Sequence, residues 1–305
     1  MKVSVVICTY AMDRYDVFSE CVDSVLDQTY EPLEVVIVVD GNDAVFDRVC
    51  DDYGDLGDVV LHCNDENSGV SASRTKGATL ATGDVVAFID DDAVASPNWV
   101  EELARVYKQT DAIAAGGKMT ADWVAGKPAA LPAEFYWLIG VTYPGFADSG
   151  DEVRNTFESN ISFRRDVFLN LGGFDPDLGP DADSYSHSEG AEIGTRLRAR
   201  YGRGVVYNPD AVVAHKVFDH RTQLRWLLAR AFEQGRSKRR LERRETASKS
   251  EETTYLQQLL FESVPQRLRT LSRSPSVATA LQLVMLFVLT GAVGCGYLYE
   301  TAAGD

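Results

Sequence analysis

Residues 85–103 read VVAFIDDDAVASPNWVEEL, and the fold turns on the first eight of them. Val85 to Ile89 are a short, unbroken apolar run, the pattern of a strand buried on both faces. Asp90, Asp91 and Asp92 follow without a spacer. Like charges this close repel, and ending a strand does not require three of them. A positive partner is therefore expected at this point.

The same pattern recurs upstream. VSVVICT (3–9) and LEVVIVVD (33–40) are further buried strands, the second ending in Asp40. Between them, Val17, Phe18, Cys21, Val22, Val25 and Leu26 recur at helical spacing. A helix is expected at about 43–53 and a strand at 58–63. Ser68 is placed to cap a helix running to about Leu80, and Pro97 to open one running to about Gln109. Strands alternating with amphipathic helices predict βαβ units and a parallel sheet. In such sheets ligands collect at the carboxyl ends of the strands, where Asp40 and Asp90–Asp92 fall. Those carboxylates are placed to share a divalent cation, Mg²⁺ or Mn²⁺, that carries a phosphorylated substrate. The bland alternative is an acidic loop on an acidic protein.

Past residue 118 the rhythm breaks. Residues 120–155, rich in Gly, Pro and aromatics, read as loop. Residues 157–175 read as a strand and a short helix, 188–202 as a helix ended by Gly202, and 205–217 as a strand pair. Residues 221–245 form a basic amphipathic helix.

Charge is unevenly spread over the 305 residues, whose net is −16. Residues 1–220 hold 17 Lys and Arg against 38 Asp and Glu, a net of −21, and residues 221–305 hold 13 against 8, a net of +5. Only 8 of the 30 basic residues are lysine. An acidic, lysine-poor body suits high salt and predicts a halophilic source. It also argues against nucleic-acid binding. The five cysteines show no zinc spacing and read as small buried thiols. The N-terminal MKVSVVICTY lacks the pattern of a secretory signal. Residues 277–299, VATALQLVMLFVLTGAVGCGYLY, carry no charge, and such a helix reaches across the roughly 30 Å hydrocarbon core. With Arg267, Arg269 and Arg273 before it, the expected topology is single-pass, the body cytoplasmic and the last residues outside. The basic helix upstream suits anionic headgroups or a lipid phosphate.

Six fragments in order carry a family resemblance: VVICTY; Asp40 closing the second strand; NSGVSASRTKGATLATGD (67–84); FIDDDA with PNW after it; RRDVFLNLGGFD (164–175); and EGAEIGTRLRARYGRGVVYNPDAVVAH (189–215). Over about residues 3–217 the chain resembles the inverting family 2 glycosyltransferases of GT-A fold. The resemblance implies an α/β, Rossmann-like mixed sheet that binds a nucleotide-sugar, followed by the basic helix and one transmembrane helix. The expected division is 1–112 for the nucleotide-sugar half, 113–220 for the acceptor half, 221–274 for the membrane-proximal region and 275–299 for the span. Thr9, Tyr10 and Asp40 would line the base and ribose site, and Arg74 would meet the diphosphate. Asp90 and Asp92 match the family's DxD pair. Asp92 would bind the metal, and Asp90 the ribose or a metal-bound water. His215 falls where related enzymes place a His near the metal.

One position departs. The family shows Glu-Asp at the start of the late helix, with the Asp as catalytic base, and here the pair is Glu189-Gly190. A hydroxyl acceptor needs a base, so Glu189 is the expected one, with Asp181 and Asp183 as substitutes. A polyprenyl phosphate acceptor arrives ionised and needs none. The resulting expectation is a membrane-anchored, metal-dependent, inverting transferase that moves a hexose or hexuronic acid onto a lipid-linked saccharide. It resembles the haloarchaeal enzymes that build dolichol-phosphate-linked glycans for surface-layer glycoproteins. The alternatives are transfer directly to polyprenyl phosphate, a nucleotidyltransferase, or an inactive sugar-nucleotide-binding module. A nucleotidyltransferase would show a Gly-rich loop after the first strand, and CTYAMDRYD contains no glycine.

Overall fold

β1 (Val3–Thr9) is buried at six of its seven residues, and the burial is two-sided. Val3, Val5 and Ile7 join one core while Val6 joins the other, as the alternation of side chains along a strand requires. The computed structural model describes residues 1–176, 189–244 and 250–303. They divide into two units: Met1–Ala121 with Ala147–Lys216, and Asp122–Phe146 with Val217–Asp305.

In the first unit, chain order continues with α1 (Tyr15–Leu26), β2 (Leu33–Val39), α2 (Asp43–Tyr53), β3 (Val59–Cys63), α3 (Val70–Leu80), β4 (Val85–Asp90), β5 (Ala93–Ala95) and α4 (Trp99–Gln109). Then come β6 (Ala114–Trp123), β7 (Glu152–Val153), β8 (Ile161–Arg164), α5 (Arg165–Asn170), α6 (Glu189–Tyr201) and β9 (Val205–Val217). The sheet order is β3-β2-β1-β4-β8-β6-β9-β5, with β7 on β9. β3, β2, β1 and β4 run parallel, whereas β8 lies antiparallel to β4 and β6. The sheet is thus mixed, as the resemblance implied. One core packs α1, α2 and α4, and the other packs α3, α5 and α6. Phe88, Phe163, Phe168 and Phe174 fill the centre of the latter, with ring centroids 5.0–6.5 Å apart.

Register positions the chemistry. Cys8 pairs with Asp90 and Thr9 with Val39, so the carboxyl ends of β1, β2 and β4 lie level. β5 pairs antiparallel with β9, Ala93 opposite His215, which brings that histidine beside Asp92.

Four expectations change. Residues 205–217 are one strand rather than a pair. Pro209 sits inside it, and the Asn208 side chain accepts the Asp210 N–H at 3.1 Å. Residues 120–155 are not all loop: they hold the end of β6, a 3-10 turn (Ala133–Ile139) and β7. Gly69, at φ +84°, caps α3 in place of Ser68. Cys50 and Cys295 are exposed thiols.

The second unit contains that 3-10 turn and α7 (Asp219–Thr222), α8 (Leu224–Arg244), α9 (Ser250–Gln258), a π turn (Leu259–Ser263), α10 (Val264–Arg273) and α11 (Val277–Ala303). Aromatic edges join Phe135, Trp137 and Tyr143 to Tyr255, and Arg267 pairs with Glu134 at 2.5 Å. α8 is the expected basic helix, and α11 has the length and apolarity of a span. The two pack backbone to backbone through glycines. A Cβ at Gly235 would overlap the Val293 carbonyl, and one at Gly296 the Phe232 carbonyl.

Candidate active site

The loop that leads into α3 is held by Asp40. Its Oδ1 accepts from the Ser68 N–H at 2.9 Å and from Asn64 Nδ2 at 2.8 Å, and its Oδ2 accepts from the Gly69 N–H at 2.9 Å. A carboxylate so engaged shapes the site by fixing the backbone beside it. Thr9 is buried and donates to Asp91 Oδ2 at 2.9 Å. Tyr10 is exposed, and its carbonyl accepts from Asn42 Nδ2 at 2.8 Å.

The three aspartates point to different partners. Asp90 pairs with Arg74, which projects from α3 and is only 5% exposed. The same guanidinium donates to Glu189 Oε1 at 3.3 Å and lies 5.7 Å from the centroid of the Phe174 ring. Burial works against the charge of Arg74, yet Asp90, Glu189 and Glu158 hold its pKa above the usual value. Asp91 accepts from Thr9 and from Arg14 Nη2, the latter at 3.3 Å. Burial pushes its carboxyl up to about 6, against the pull of Arg14. Asp92 meets Arg14 Nη2 through Oδ2 at 3.1 Å and His215 Nε2 through Oδ1 at 3.3 Å. The acidic run is therefore balanced by two arginines from other elements, Arg14 and Arg74.

Asp92 and His215 offer a carboxylate oxygen and an imidazole nitrogen at one point. Among the described residues no group of three or more ligating side chains gathers. Asp92 and His215 are thus the two side chains that could hold a divalent cation at this point.

At the start of α6, Glu189 is 1% exposed, and its Oε2 has no hydrogen-bond partner among the described residues. The Gly190 N–H donates to Glu158 Oε1 at 2.9 Å. Burial, reinforced by Glu158, pushes the Glu189 carboxyl up to about 8. Burial also raises Glu158, while Arg74 pulls it back. Asp181 and Asp183 lie outside the described residues.

The family model for glycosyl transferase family 2 matches residues 4–172. A curated relative, glucosyl-dolichyl phosphate glucuronosyltransferase of Haloferax volcanii, is 53% identical over 300 residues, which cover 98% of this chain and 96% of the relative. The chain is a family 2 glycosyltransferase. Among solved structures, this glycosyltransferase resembles a mannosyltransferase from Pyrobaculum calidifontis, in complex with GDP-Man and Mn²⁺, at a TM-score of 0.59 and 18% identity. The match covers 99% of this chain and 86% of that one. It also resembles TarS 1–349 of S. aureus, at 0.54 and 15%, covering 100% and 92%. These likenesses show the GT-A fold.

The structure brings Arg74, Asp90, Asp92, His215, Thr9 and Glu189 to one end of the sheet. It adds two residues that sequence reasoning missed. Arg14 follows β1 within CTYAMDRYD, a segment in which the resemblance assigns roles only to Thr9 and Tyr10. Glu158 stands in the 3-10 turn Glu158–Asn160, where Ser159 Oγ accepts the Asp90 N–H at 3.0 Å. Glu158 is one of 15 acidic residues between positions 113 and 220, and nothing local in the sequence singles it out.

Proposed function

We propose that this glycosyltransferase moves a hexuronic acid from a nucleotide-sugar to a hydroxyl of a sugar already borne on dolichyl phosphate. The observation that carries the reading is the 53% identity, over nearly the whole of both chains, to a relative named as a glucuronosyltransferase acting on glucosyl-dolichyl phosphate. The acidic, lysine-poor composition of this chain, together with a relative from Haloferax volcanii, fits a halophilic setting.

In this reading the acceptor oxygen attacks the anomeric carbon, the bond from that carbon to the diphosphate oxygen breaks, and configuration inverts. The nucleoside diphosphate leaves with the electron pair, and the acceptor proton goes to a carboxylate. Thr9, Tyr10 and Asp40 border the nucleoside, Asp40 through the loop it fixes. Asp90 takes the ribose side, and Arg74 turns its guanidinium to the diphosphate, offsetting charge as it develops. Asp92 and His215 would hold a divalent cation, Mn²⁺ or Mg²⁺, which supplies further charge neutralisation to the leaving group. The base belongs to the carboxylate pair Glu158 and Glu189.

Attachment to membrane lipid runs through the second unit. α11 presents Leu281, Val284, Val288 and Leu298 outward. Its other side is covered by α8, whose Arg236 and Arg240 both pair with Glu300 at 2.9 Å. We place the catalytic body on the cytoplasmic side. α11 is long and apolar enough to cross, but the charged part of α8 accompanies its last turns and would be carried into the bilayer with it, so we place α11 along the interface.

The test is transfer by the purified enzyme with Mn²⁺, from UDP-glucuronic acid, UDP-glucose or GDP-mannose, to glucosyl-dolichyl phosphate or dolichyl phosphate, read by product mass. A hexuronic acid added to the glucosyl lipid is expected. Product formed only on bare dolichyl phosphate overturns the acceptor assignment, and a neutral hexose alone overturns the donor assignment.

A further inference from the structure

We propose that Glu158 is the catalytic base, standing in for the side chain that Gly190 lacks, and that Glu189 is a positioning residue for Arg74. The inference rests on transfer to a sugar hydroxyl, as argued above.

The geometry links the two departures. A Cβ built on Gly190 would run into Glu158 Oε1 and lie against its Cδ. The space where a side chain at 190 would begin is thus filled by the end of another side chain, reaching in from the turn before β8. The Gly190 N–H, in the first turn of α6, donates to that oxygen at 2.9 Å, and a carboxylate at a helix N-terminus is held in place by such a bond. Gly190 is not in the left-handed region, so space and not backbone conformation calls for glycine there. A carboxylate has moved from helix to turn while its working end stays at the start of α6.

The placement is right for chemistry. Ser159, next in sequence, accepts the Asp90 N–H at 3.0 Å, tying the turn to the end of β4. Arg74 bridges Asp90 and Glu189, so Glu158 stands beside the group assigned to the diphosphate. Glu189 is the poorer base. It is 1% exposed, whereas Glu158 is half-buried.

Protonation agrees. The charged and titratable groups that face Glu158 are Arg74, Asp90 and Glu189. Three carboxylates thus share one guanidinium, and burial favours a proton on one of them. Burial raises both Glu158 and Glu189, and Glu189, pushed up to about 8, is the member that keeps a proton near neutral pH. When the acceptor hydroxyl attacks, its proton passes to Glu158 as the new carbon–oxygen bond forms.

The experiment compares the full-length wild type, Glu158→Gln, Glu189→Ala and the double variant Glu158→Ala with Gly190→Asp. Glu158→Gln keeps an acceptor for the Gly190 N–H. It should cost about 10²–10⁴-fold in kcat, leave UDP binding unchanged by calorimetry, and lose the acidic limb of the pH–rate profile. Glu189→Ala should weaken UDP binding, because Arg74 loses an anchor. Returning the carboxylate to position 190 in the double variant should recover at least about tenfold of the loss in kcat. The assignment is overturned by near-normal transfer to the glucosyl lipid in Glu158→Gln, or by loss of UDP binding in step with rate. Wild-type transfer to bare dolichyl phosphate alone would instead overturn the acceptor reading, a separate failure.

Discussion

Arg14 Nη2 lies 3.1 Å from Asp92 Oδ2 and 3.3 Å from Asp91 Oδ1. A permanent cation from the turn after β1 therefore sits against an acidic run 77 residues downstream. Burial lowers the pKa of Arg14, but the two aspartates raise it further, so it stays above its usual value. The pairing lets Asp91 and Asp92 stand side by side and leaves Asp92 Oδ1 directed to His215.

Replacing Arg14 by Gln removes that countercharge. Breaking a fully buried pair costs about 3–5 kcal/mol, but Arg14 is partly exposed and screened, so about 1–2 kcal/mol is expected. Added Mn²⁺ with UDP should restore part of the loss by neutralising Asp92. Urea midpoints with and without both ligands check this. An unchanged midpoint in the variant denies the ion pair its structural role.

Asp92→Asn and His215→Ala should each weaken Mn²⁺ binding in the presence of UDP, as read by electron paramagnetic resonance. An amide is a poorer partner than a carboxylate for a hard cation. Asp91→Asn should weaken it less, since Asp91 is occupied by Thr9 and Arg14. Asp92→Asn should abolish transfer. Equal affinities across the set would remove Asp92 and His215 as ligands.

Arg74→Lys tests the bridge. A guanidinium reaches Asp90 and Glu189 at once, and an ammonium on a flexible stem is a single point charge. The expected result is a loss in kcat/KM of about 10–100-fold, carried mainly by a higher KM for the nucleotide-sugar. A variant with normal KM and slow turnover would assign Arg74 to the transition state alone.

How far the site was legible depends on sequence distance. β1, β2 and β4 announce themselves because a strand buried on both faces must be continuously apolar. Asp92 and His215 were legible as a pair only through the family resemblance. The backbone reason is the register that sets Ala93 opposite His215. Arg14 was not legible, since nothing local shows that the turn after β1 folds onto residues 91 and 92. Glu158 was hidden for the same reason: its meaning lies in Gly190, 32 residues away. In α11, uniform apolarity masked a helix with one covered side, because both lipid and α8 accept apolar groups.

Acid stability carries its own sign. Burial favours protonation of Glu34, but bonds from Lys2, Ser4 and Thr82 outweigh it and hold the carboxyl down, from 4.5 to about 2. A depressed folded pKa contributes stability that is complete above the unfolded value and is lost as pH falls through the folded one. Glu34→Gln should therefore be less stable at pH 7 and show a shallower loss between pH 4.5 and 2. Thermal melts across that window measure it, and parallel curves for the two proteins would count against the assignment.

Membrane topology gives the last prediction. The outward stripe of α11, Leu281, Val284, Val288 and Leu298, repeats at intervals of three, four and ten residues, which keeps it on one helical face. The opposite side buries Leu286, Leu289 and Gly296. Glu300, near the end, is paired with Arg236 and Arg240, and Tyr297 donates to Glu242 at 2.6 Å. For α11 to cross with its end outside, this charged part of α8 would have to follow it. Each such residue costs about 2.5–3.5 kcal/mol at the centre of a bilayer. A helix lying in the interface avoids that cost and keeps Arg239 and Arg243 near anionic headgroups. With the other cysteines replaced, Cys50 and a cysteine at position 303 (Ala303→Cys) should react with an impermeant maleimide from the same side of sealed vesicles. Both should be labelled in inverted vesicles and both protected in right-side-out ones. Labelling of position 303 only from the side opposite Cys50 would establish a crossing helix and end the in-plane assignment.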